Sequence, residues 1–124
     1  MATILIADDS PTAVVLLQRI LAPLGHRIVT VTDGAAAARL LASDADRPDL
    51  AILDVVMPGQ NGFELCRSLK SDPRTAAIPV FLVTSMDREA DRFWGLKQGA
   101  DEYFSKPFDA SRLVEKVRER LVGP

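Results

Sequence analysis

Polar side chains of reactive types follow the apolar runs of this sequence, each just after the point where a run stops. Asp8 and Asp9 follow the first run, Asp54 the third and Thr84 the fourth, while Lys106 follows a weaker fifth run. Carboxylates that lie close together repel one another, and each is costly to leave unpaired away from water. A divalent cation would remove this repulsion, so the pattern predicts a metal site where these acids meet.

The donor types indicate which cation would bind. Carboxylate and carbonyl oxygens without a neighbouring histidine or thiolate suit a hard ion, and few protein ligands with room for water favour Mg²⁺ over Ca²⁺. The alternative is that Asp8 and Asp9 only cap the following helix. Ser10 and Pro11 already provide that helix start, and a cap takes one residue, so we prefer the metal hypothesis.

Asp54 has the chemistry of a nucleophile. A carboxylate can accept a phosphoryl group as an acyl phosphate, and Mg²⁺ with the ammonium of Lys106 would offset the charge on the transferred oxygens. The hydroxyl of Thr84 could donate to a phosphoryl oxygen. Taken singly, Lys106 could be an ordinary exposed lysine and Thr84 an ordinary residue at a strand end. Only the joint pattern favours phosphoryl chemistry.

Short apolar runs rich in β-branched residues must position these side chains. Their lack of alternation predicts strands that are buried on both faces, as in a parallel sheet covered by helices. The predicted strands are Thr3–Ala7, Ile28–Val31, Leu50–Leu53, Val80–Val83 and the weaker Tyr103–Ser105.

Helix start and stop signals separate the strands. Ser10 and Pro11 open the first helix, and Gly25 after Leu24 closes it. The other helices are predicted from Asp33-Gly34 through Ala42, Asn61-Gly62 through Lys70, Asp87 through Gln98 with Gly99 after it, and from the cap Asp109 through Leu121. Strands that alternate with helices form a doubly wound α/β sheet, whose working groups gather at the carboxyl ends of the strands.

Length and composition predict one domain over residues 1–124. The chain has 15 basic and 17 acidic residues and a net charge of −2, so the excess of basic residues that is typical of nucleic-acid binding is not evident. No run is long enough to span a membrane, and the single cysteine, Cys66, is expected to be a buried thiol. These features predict a soluble cytoplasmic protein without a nucleic-acid or membrane partner.

The combination of Asp8-Asp9, Asp54, Thr84 and Lys106-Pro107 resembles the receiver domain of two-component response regulators, over essentially the whole chain. The resemblance implies a flavodoxin-like (βα)5 fold with strand order 2-1-3-4-5. It also implies that a histidine kinase or phosphotransfer protein phosphorylates Asp54 in the presence of Mg²⁺. Lys106-Pro107 would be the cis peptide bond of the family.

The same resemblance implies a role for each matching residue. Asp9, Asp54 and the backbone carbonyl of Val56 would bind the metal, and Asp8 would act on it through water. Thr84 and Lys106 would contact the phosphoryl group, and Thr84 with Tyr103 would form a switch pair. The third loop of the family is matched by Met57-Pro58-Gly59 and Gly62.

Two positions depart from the best-known chemotaxis pattern. Val56, two residues after Asp54, and Met86, two residues after Thr84, are apolar where polar residues are common in fast-cycling members. They could slow the entry of water to an acyl phosphate, or simply pack on one another.

The stretch Phe93–Ala100 resembles, more weakly, stand-alone receivers of twitching-pilus and related chemosensory pathways. Helical spacing predicts Phe93, Leu96 and Ala100 in the core and Trp94 on the flank. We expect Trp94, Lys97 and Tyr103 to contribute to an output surface formed by the fourth helix, the fifth strand and the fifth helix. His26, the only histidine, receives no role.

The preferred function is a signalling switch rather than an enzyme. Because the fifth helix ends at Val122-Gly123-Pro124, a stand-alone protein is expected, whose own surface binds a downstream target. We expect a monomer or a weak dimer that depends on phosphorylation. An aspartate-nucleophile phosphatase would need a second acid at position 56, which is Val56. A flavodoxin-like electron carrier fits poorly, whereas a receiver that binds partners without phosphorylation stays open.

Overall fold

The computed structural model describes residues 1–121 and contains one parallel sheet of five strands. The strands are β1 (Thr3–Ala7), β2 (Arg27–Val31), β3 (Leu50–Leu53), β4 (Val80–Thr84) and β5 (Glu102–Ser105). Their spatial order is β2-β1-β3-β4-β5, as the resemblance implied. The carboxyl ends of β1, β3, β4 and β5 therefore lie along one edge of the sheet.

Helices connect successive strands and cover both faces of the sheet. They are α1 (Pro11–Leu21), α2 (Gly34–Ala42), α3 (Gly62–Ser71), α4 (Glu89–Lys97) and α5 (Ala110–Leu121). Side chains of Ser10, Asp33 and Asn61 accept backbone hydrogen bonds at the starts of α1, α2 and α3, as the sequence predicted.

Two helix boundaries differ from the prediction by two residues or more. The α-helix α1 ends at Leu21 rather than Leu24, and Ala22–Leu24 forms a 3-10 turn, because Pro23 has no N–H to continue the α-helical pattern. Helix α4 begins at Glu89 rather than Asp87. The predicted stop of α5 at Val122, Gly123 and Pro124 lies outside the described residues.

Hydrophobic clusters lie on the two faces of the sheet. One contains Leu5, Leu53 and Leu82, and the other contains Ile6, Ile52 and Phe81, so adjacent residues of one strand point to opposite faces. Strands β3 and β4 are buried along their whole length, and β1 from Ile4 onward, as predicted.

The prediction that β2 is buried on both faces was wrong. Its residues are half-buried or exposed, and Thr30 faces solvent. The reason is its place in the sheet, since β2 is an edge strand with only β1 beside it. Cys66, in contrast, is fully buried as predicted, and burial raises the pKa of its thiol to about 11. Among residues 1–121, no helix is long and apolar enough to cross a membrane.

Candidate functional site

Three aspartates meet at the carboxyl edge of the sheet. Asp8 and Asp9 follow β1, Asp54 follows β3, and these two strands are neighbours. One carboxylate oxygen from each residue lies within 4.8 Å of the others. Asp8 and Asp54 are buried, while Asp9 is exposed to solvent. The predicted cluster therefore forms, with one side open to a ligand.

Lys106 lies between the two buried acids. Its Nζ donates to Oδ2 of Asp8 at 2.9 Å and to Oδ2 of Asp54 at 3.2 Å. The neighbouring strand β4 fixes its position, since the backbone N–H of Lys106 donates to the carbonyl of Thr84 at 2.8 Å. The Lys106-Pro107 peptide bond is cis, as the resemblance implied. One ammonium thus offsets part of the charge of three carboxylates.

Burial and charge shift the pKa values of this pair. Burial, and to a smaller extent the charge of Asp54, raises the pKa of Asp8 above its ordinary value, against hydrogen bonds from Lys106 and Ser10 that lower it. Burial alone would lower the pKa of Lys106, but the hydrogen bond to Asp8 and the charges of both aspartates raise it. The lysine is therefore firmly cationic and held at the carboxylates.

Backbone contacts fix the carboxylate of Asp54 in place. The N–H of Asp54 donates to the carbonyl of Ala7 at 2.9 Å, which continues the pairing of β3 with β1. The N–H of Val56 donates to Oδ1 of Asp54 at 3.3 Å, and the N–H of Gly62 donates to the carbonyl of Val55 at 2.9 Å. The β3–α3 loop thus folds back on the strand end and leaves little freedom to Asp54.

A second set of contacts runs from Thr84 to Tyr103 through the backbone of Met86. The N–H of Met86 donates to the hydroxyl of Thr84 at 3.4 Å. The carbonyl of Met86 accepts from the hydroxyl of Tyr103 at 2.7 Å. Thr84 and Tyr103 are both buried, and burial first, then the charges of nearby aspartates, raise the pKa of Tyr103 to about 12. The predicted pair is therefore connected, although the two side chains bond to Met86 and not to one another.

The orientation of α4 differs from the prediction. Phe93 is 65% exposed and Leu96 is 41% exposed, although their spacing predicted that they belong to the core. Asp91 and Gly95 form the buried face instead. Asp91 can be buried because its carboxylate accepts from the backbone N–H and the guanidinium Nε of Arg88, both at 3.2 Å. The predicted burial of Ala100 and the exposed flank position of Trp94 are confirmed.

Three residues were expected at the output surface. Trp94 and Lys97 are exposed, as expected. Tyr103 is only 1% exposed, so it lies beneath this surface rather than on it, and its hydroxyl donates to the carbonyl of Met86.

Val56 and Met86 lie at the rim of the acidic cluster. Val56 is 61% exposed, whereas Met86 is half-buried and packs against the cluster that contains Tyr103. Val56 thus presents an apolar side chain to solvent two residues after Asp54. His26 accepts a hydrogen bond from the N–H of Ala2, at the opposite end of β1.

A parallel sheet of this order, with two acids after β1, one after β3, a threonine ending β4 and a lysine after β5, defines the receiver class. The chain belongs to the response regulator receiver domain family, whose model matches residues 4–118. The resemblance drawn from the sequence is confirmed.

Relatives of this family are similar over most of the chain. Protein PilH of Pseudomonas aeruginosa is 43% identical over 126 residues, which cover 99% of this chain and 100% of PilH. Response regulator PleD of Caulobacter vibrioides is 43% identical over 117 residues, which cover 94% of this chain but 25% of PleD.

Solved structures share the fold. The signal receiver domain of a signal transduction histidine kinase from Syntrophus aciditrophicus has a TM-score of 0.88 and 39% identity, and the match covers 98% of this chain and 90% of that one. The BeF3-activated N-terminal receiver domain of Klebsiella pneumoniae RstA has a TM-score of 0.85 and 28% identity, and the match covers 98% and 99%.

Proposed function

We propose that this protein is a single-domain response regulator of residues 1–124 whose Asp54 accepts a phosphoryl group from a histidine kinase or phosphotransfer protein in the cytoplasm. Phosphorylation would change the binding of a target protein at the surface of α4, β5 and α5. The observation that carries the proposal is the contact of Lys106 with both Asp8 and Asp54 beside the exposed carboxylate of Asp9.

The donor set fits Mg²⁺. It consists of carboxylate oxygens on Asp8, Asp9 and Asp54 and contains no nitrogen or sulfur ligand. The combined negative charge of these carboxylates exceeds the positive charge of Lys106. Asp9 and Asp54 would hold the ion together with the backbone carbonyl of Val56, and Asp8 would act through water. When bound, Mg²⁺ supplies positive charge that offsets the negative charge of the phosphoryl oxygens.

The residues of this chain perform the remaining work. A carboxylate oxygen of Asp54 attacks the phosphorus atom of the donor, and the bond to the donor's leaving group breaks as the acyl phosphate forms. The backbone contacts of Asp54 hold this oxygen in place, which removes part of the entropic cost of the reaction. Lys106 then keeps its ammonium beside the new phosphoryl oxygens, and the Thr84 hydroxyl can turn from Met86 to donate to one of them.

The contacts of Met86 support a route from Asp54 to the surface. If Thr84 turns toward a phosphoryl oxygen, the backbone N–H of Met86 loses its partner, and the carbonyl of the same residue holds Tyr103. The equilibrium of the β4–α4 loop would then shift, and with it the surface that presents Trp94 and Lys97. A partner that prefers one state of this surface would be regulated.

Mg²⁺ is expected to raise the thermal stability of the protein, because it relieves the repulsion of the acidic cluster and binds only the folded chain. Asp9→Ala should lose most of this increase. The measurement is a thermal melt in millimolar Mg²⁺ and in EDTA, for the parent and the variant.

Glu115→Ala is the matched control, because Glu115 is an exposed acid on α5 outside the acidic cluster. It should keep the full response to Mg²⁺. An undiminished response in Asp9→Ala would remove Asp9 from the proposed ligands.

The switch is tested by the fluorescence of Trp94, the only tryptophan of the chain. Beryllofluoride with Mg²⁺, which mimics an acyl phosphate, should change its intensity or its quenching by acrylamide in the parent. Thr84→Ala should respond much less, because it lacks the hydroxyl that would donate a hydrogen bond to the phosphoryl group. Thr30→Ala, which removes an exposed threonine from the edge strand β2, should respond like the parent.

Two outcomes would contradict the switch. An equal change in the parent and in Thr84→Ala would mean that Trp94 reports local binding of the ligand. No change in either protein, under conditions where beryllofluoride raises the melting temperature, would mean that no signal travels from Asp54 to α4.

A further inference from the structure

Gly95 occupies the interior of α4, where a glycine weakens the helix. It is less favourable there than any residue except proline, because it loses the most backbone freedom on folding. Gly95 is nevertheless buried, and it faces Leu82 of β4 and Tyr103 of β5. The lack of room for a side chain therefore explains why a glycine occupies this position.

The Tyr103 ring occupies the space beside Gly95. A Cβ atom at position 95 would lie 2.8 Å from Cδ2 and 3.0 Å from Cε2 of Tyr103, and 3.0 Å from Cδ1 of Leu82. These separations are all shorter than ordinary van der Waals contact. One edge of the phenol ring therefore fills the volume that any side chain at position 95 would need.

Of the two side chains beside Gly95, that of Tyr103 would lie closer to an added Cβ atom. The Tyr103 backbone is fixed, because it pairs with Leu82 in the sheet and its carbonyl accepts from Nη1 of Arg92 at 3.3 Å. Rotation about the Cα–Cβ bond of Tyr103 would take the ring out of this space; it would break the hydrogen bond from the Tyr103 hydroxyl to Met86 and give up the burial of the ring. A methyl group at position 95 would therefore favour an outward ring.

We propose that Gly95 is a positioning residue for Tyr103. Because Gly95 has no side chain, it leaves the space in which the phenol ring lies inward against Met86. This inference rests on the proposed function, in which Thr84 and Tyr103 form the switch pair. Gly95 would thus influence the switch from α4, without contacting the acidic cluster or a phosphoryl group. One added methyl group should therefore uncouple the α4 surface from Asp54 while the acceptor chemistry stays intact.

The direct test is nitration of Tyr103 by tetranitromethane, since Tyr103 is the only tyrosine. The reaction should be slow in the parent, because the ring is buried. Gly95→Ala should react faster by about tenfold or more, the scale on which overpacking by one methyl group shifts a two-state equilibrium. Gly25→Ala is the control: Gly25 has a φ of 78° and no atom within 4 Å of an added Cβ, so it strains the backbone without approaching Tyr103.

An unchanged nitration rate in folded Gly95→Ala would overturn the proposal, as would an equal acceleration in Gly25→Ala. A second comparison covers the case in which Gly95→Ala folds poorly. In a Tyr103→Ala background the ring is absent, so Gly95→Ala should no longer lower the melting temperature. An equal loss of melting temperature in both backgrounds, or a double variant that fails to fold although Tyr103→Ala alone folds, would show that the methyl group clashes elsewhere.

The link to signalling is tested separately. Gly95→Ala should take up a phosphoryl group from a small phosphodonor as the parent does, while the response of Trp94 to beryllofluoride should be lost. A full Trp94 response in Gly95→Ala would contradict the role of Gly95 in the switch. Nitration and melting need no phosphodonor, so they still decide the position of Tyr103 if Asp54 accepts no phosphoryl group.

Discussion

Gly62→Ala is expected to lower the free energy of unfolding by about 3 kcal/mol, at the upper end of the usual cost of overpacking. A Cβ atom at position 62 would overlap the backbone carbonyl of Asp54 and would lie 2.9 Å from Cα of Val55. Both neighbours are backbone atoms of the strand end and loop that position the acceptor, so they cannot rotate away. Urea unfolding of the parent and the variant measures the loss.

Gly25→Ala again serves as the control, since its added methyl group meets no atom within 4 Å and its cost is the left-handed backbone alone, about 1 kcal/mol. Gly62→Ala should also label poorly with phosphodonors, because a shifted Asp54 carbonyl moves its carboxylate. If Gly62→Ala were no less stable than Gly25→Ala, the close approach of α3 to β3 would be wrong.

Lys106→Met is expected to lower the free energy of unfolding by about 2 kcal/mol in EDTA near pH 8. Removing one partner of a buried ion pair costs about 3–5 kcal/mol, and the lysine side chain is 24% exposed, which reduces that cost. Without the ammonium, Asp8 and Asp54 face one another as buried charges. Urea unfolding measures the loss, and Mg²⁺ should restore part of it.

The cost of Lys106→Met should depend on pH. The pKa of Asp8 is already raised in the folded chain, so its carboxyl binds a proton more tightly there than in the unfolded chain. Its contribution to stability is complete below the unfolded pKa and is lost as the pH rises through the folded pKa. Loss of Lys106 raises the pKa of Asp8 further, so the destabilisation should grow as the pH rises from the acidic range.

Lys97→Met is the control for Lys106→Met, because Lys97 is an exposed lysine on α4. It should change the free energy of unfolding by less than about 0.5 kcal/mol at any pH. A loss in Lys106→Met that is equally small, or independent of pH, would contradict the ion pairs of Lys106.

The central strands and the acidic cluster could be predicted because both depend on local sequence. Unbroken apolar runs identify β1, β3 and β4, and Asp8, Asp9 and Asp54 follow directly after two of them. The environment of β2 could not be predicted in this way. Its apolar residues resemble those of a central strand, and burial depends on strand order, which an apolar run does not encode.

The orientation of α4 also could not be predicted from the helical spacing of its apolar residues. Phe93 and Leu96 suggested a core face, whereas Asp91 and Gly95 form it. Burial of Asp91 depends on neutralisation by Arg88, and that of Gly95 on the ring of Tyr103. A glycine within a helix was the available signal, since such a residue often marks a close approach. The hydrogen bonds of Lys106 likewise depend on side-chain reach across the sheet edge, which spacing along the chain does not specify.

The central claim is that Asp54 accepts a phosphoryl group, and the mass of the intact protein tests it most directly. After incubation with acetyl phosphate and Mg²⁺, the parent should gain one phosphoryl group that is stable in acid and labile in base. Asp54→Asn should gain none, whereas Asp46→Asn, which changes an exposed acid outside the cluster, should label like the parent. Equal labelling of Asp54→Asn and the parent would show that Asp54 is not the phosphoryl acceptor.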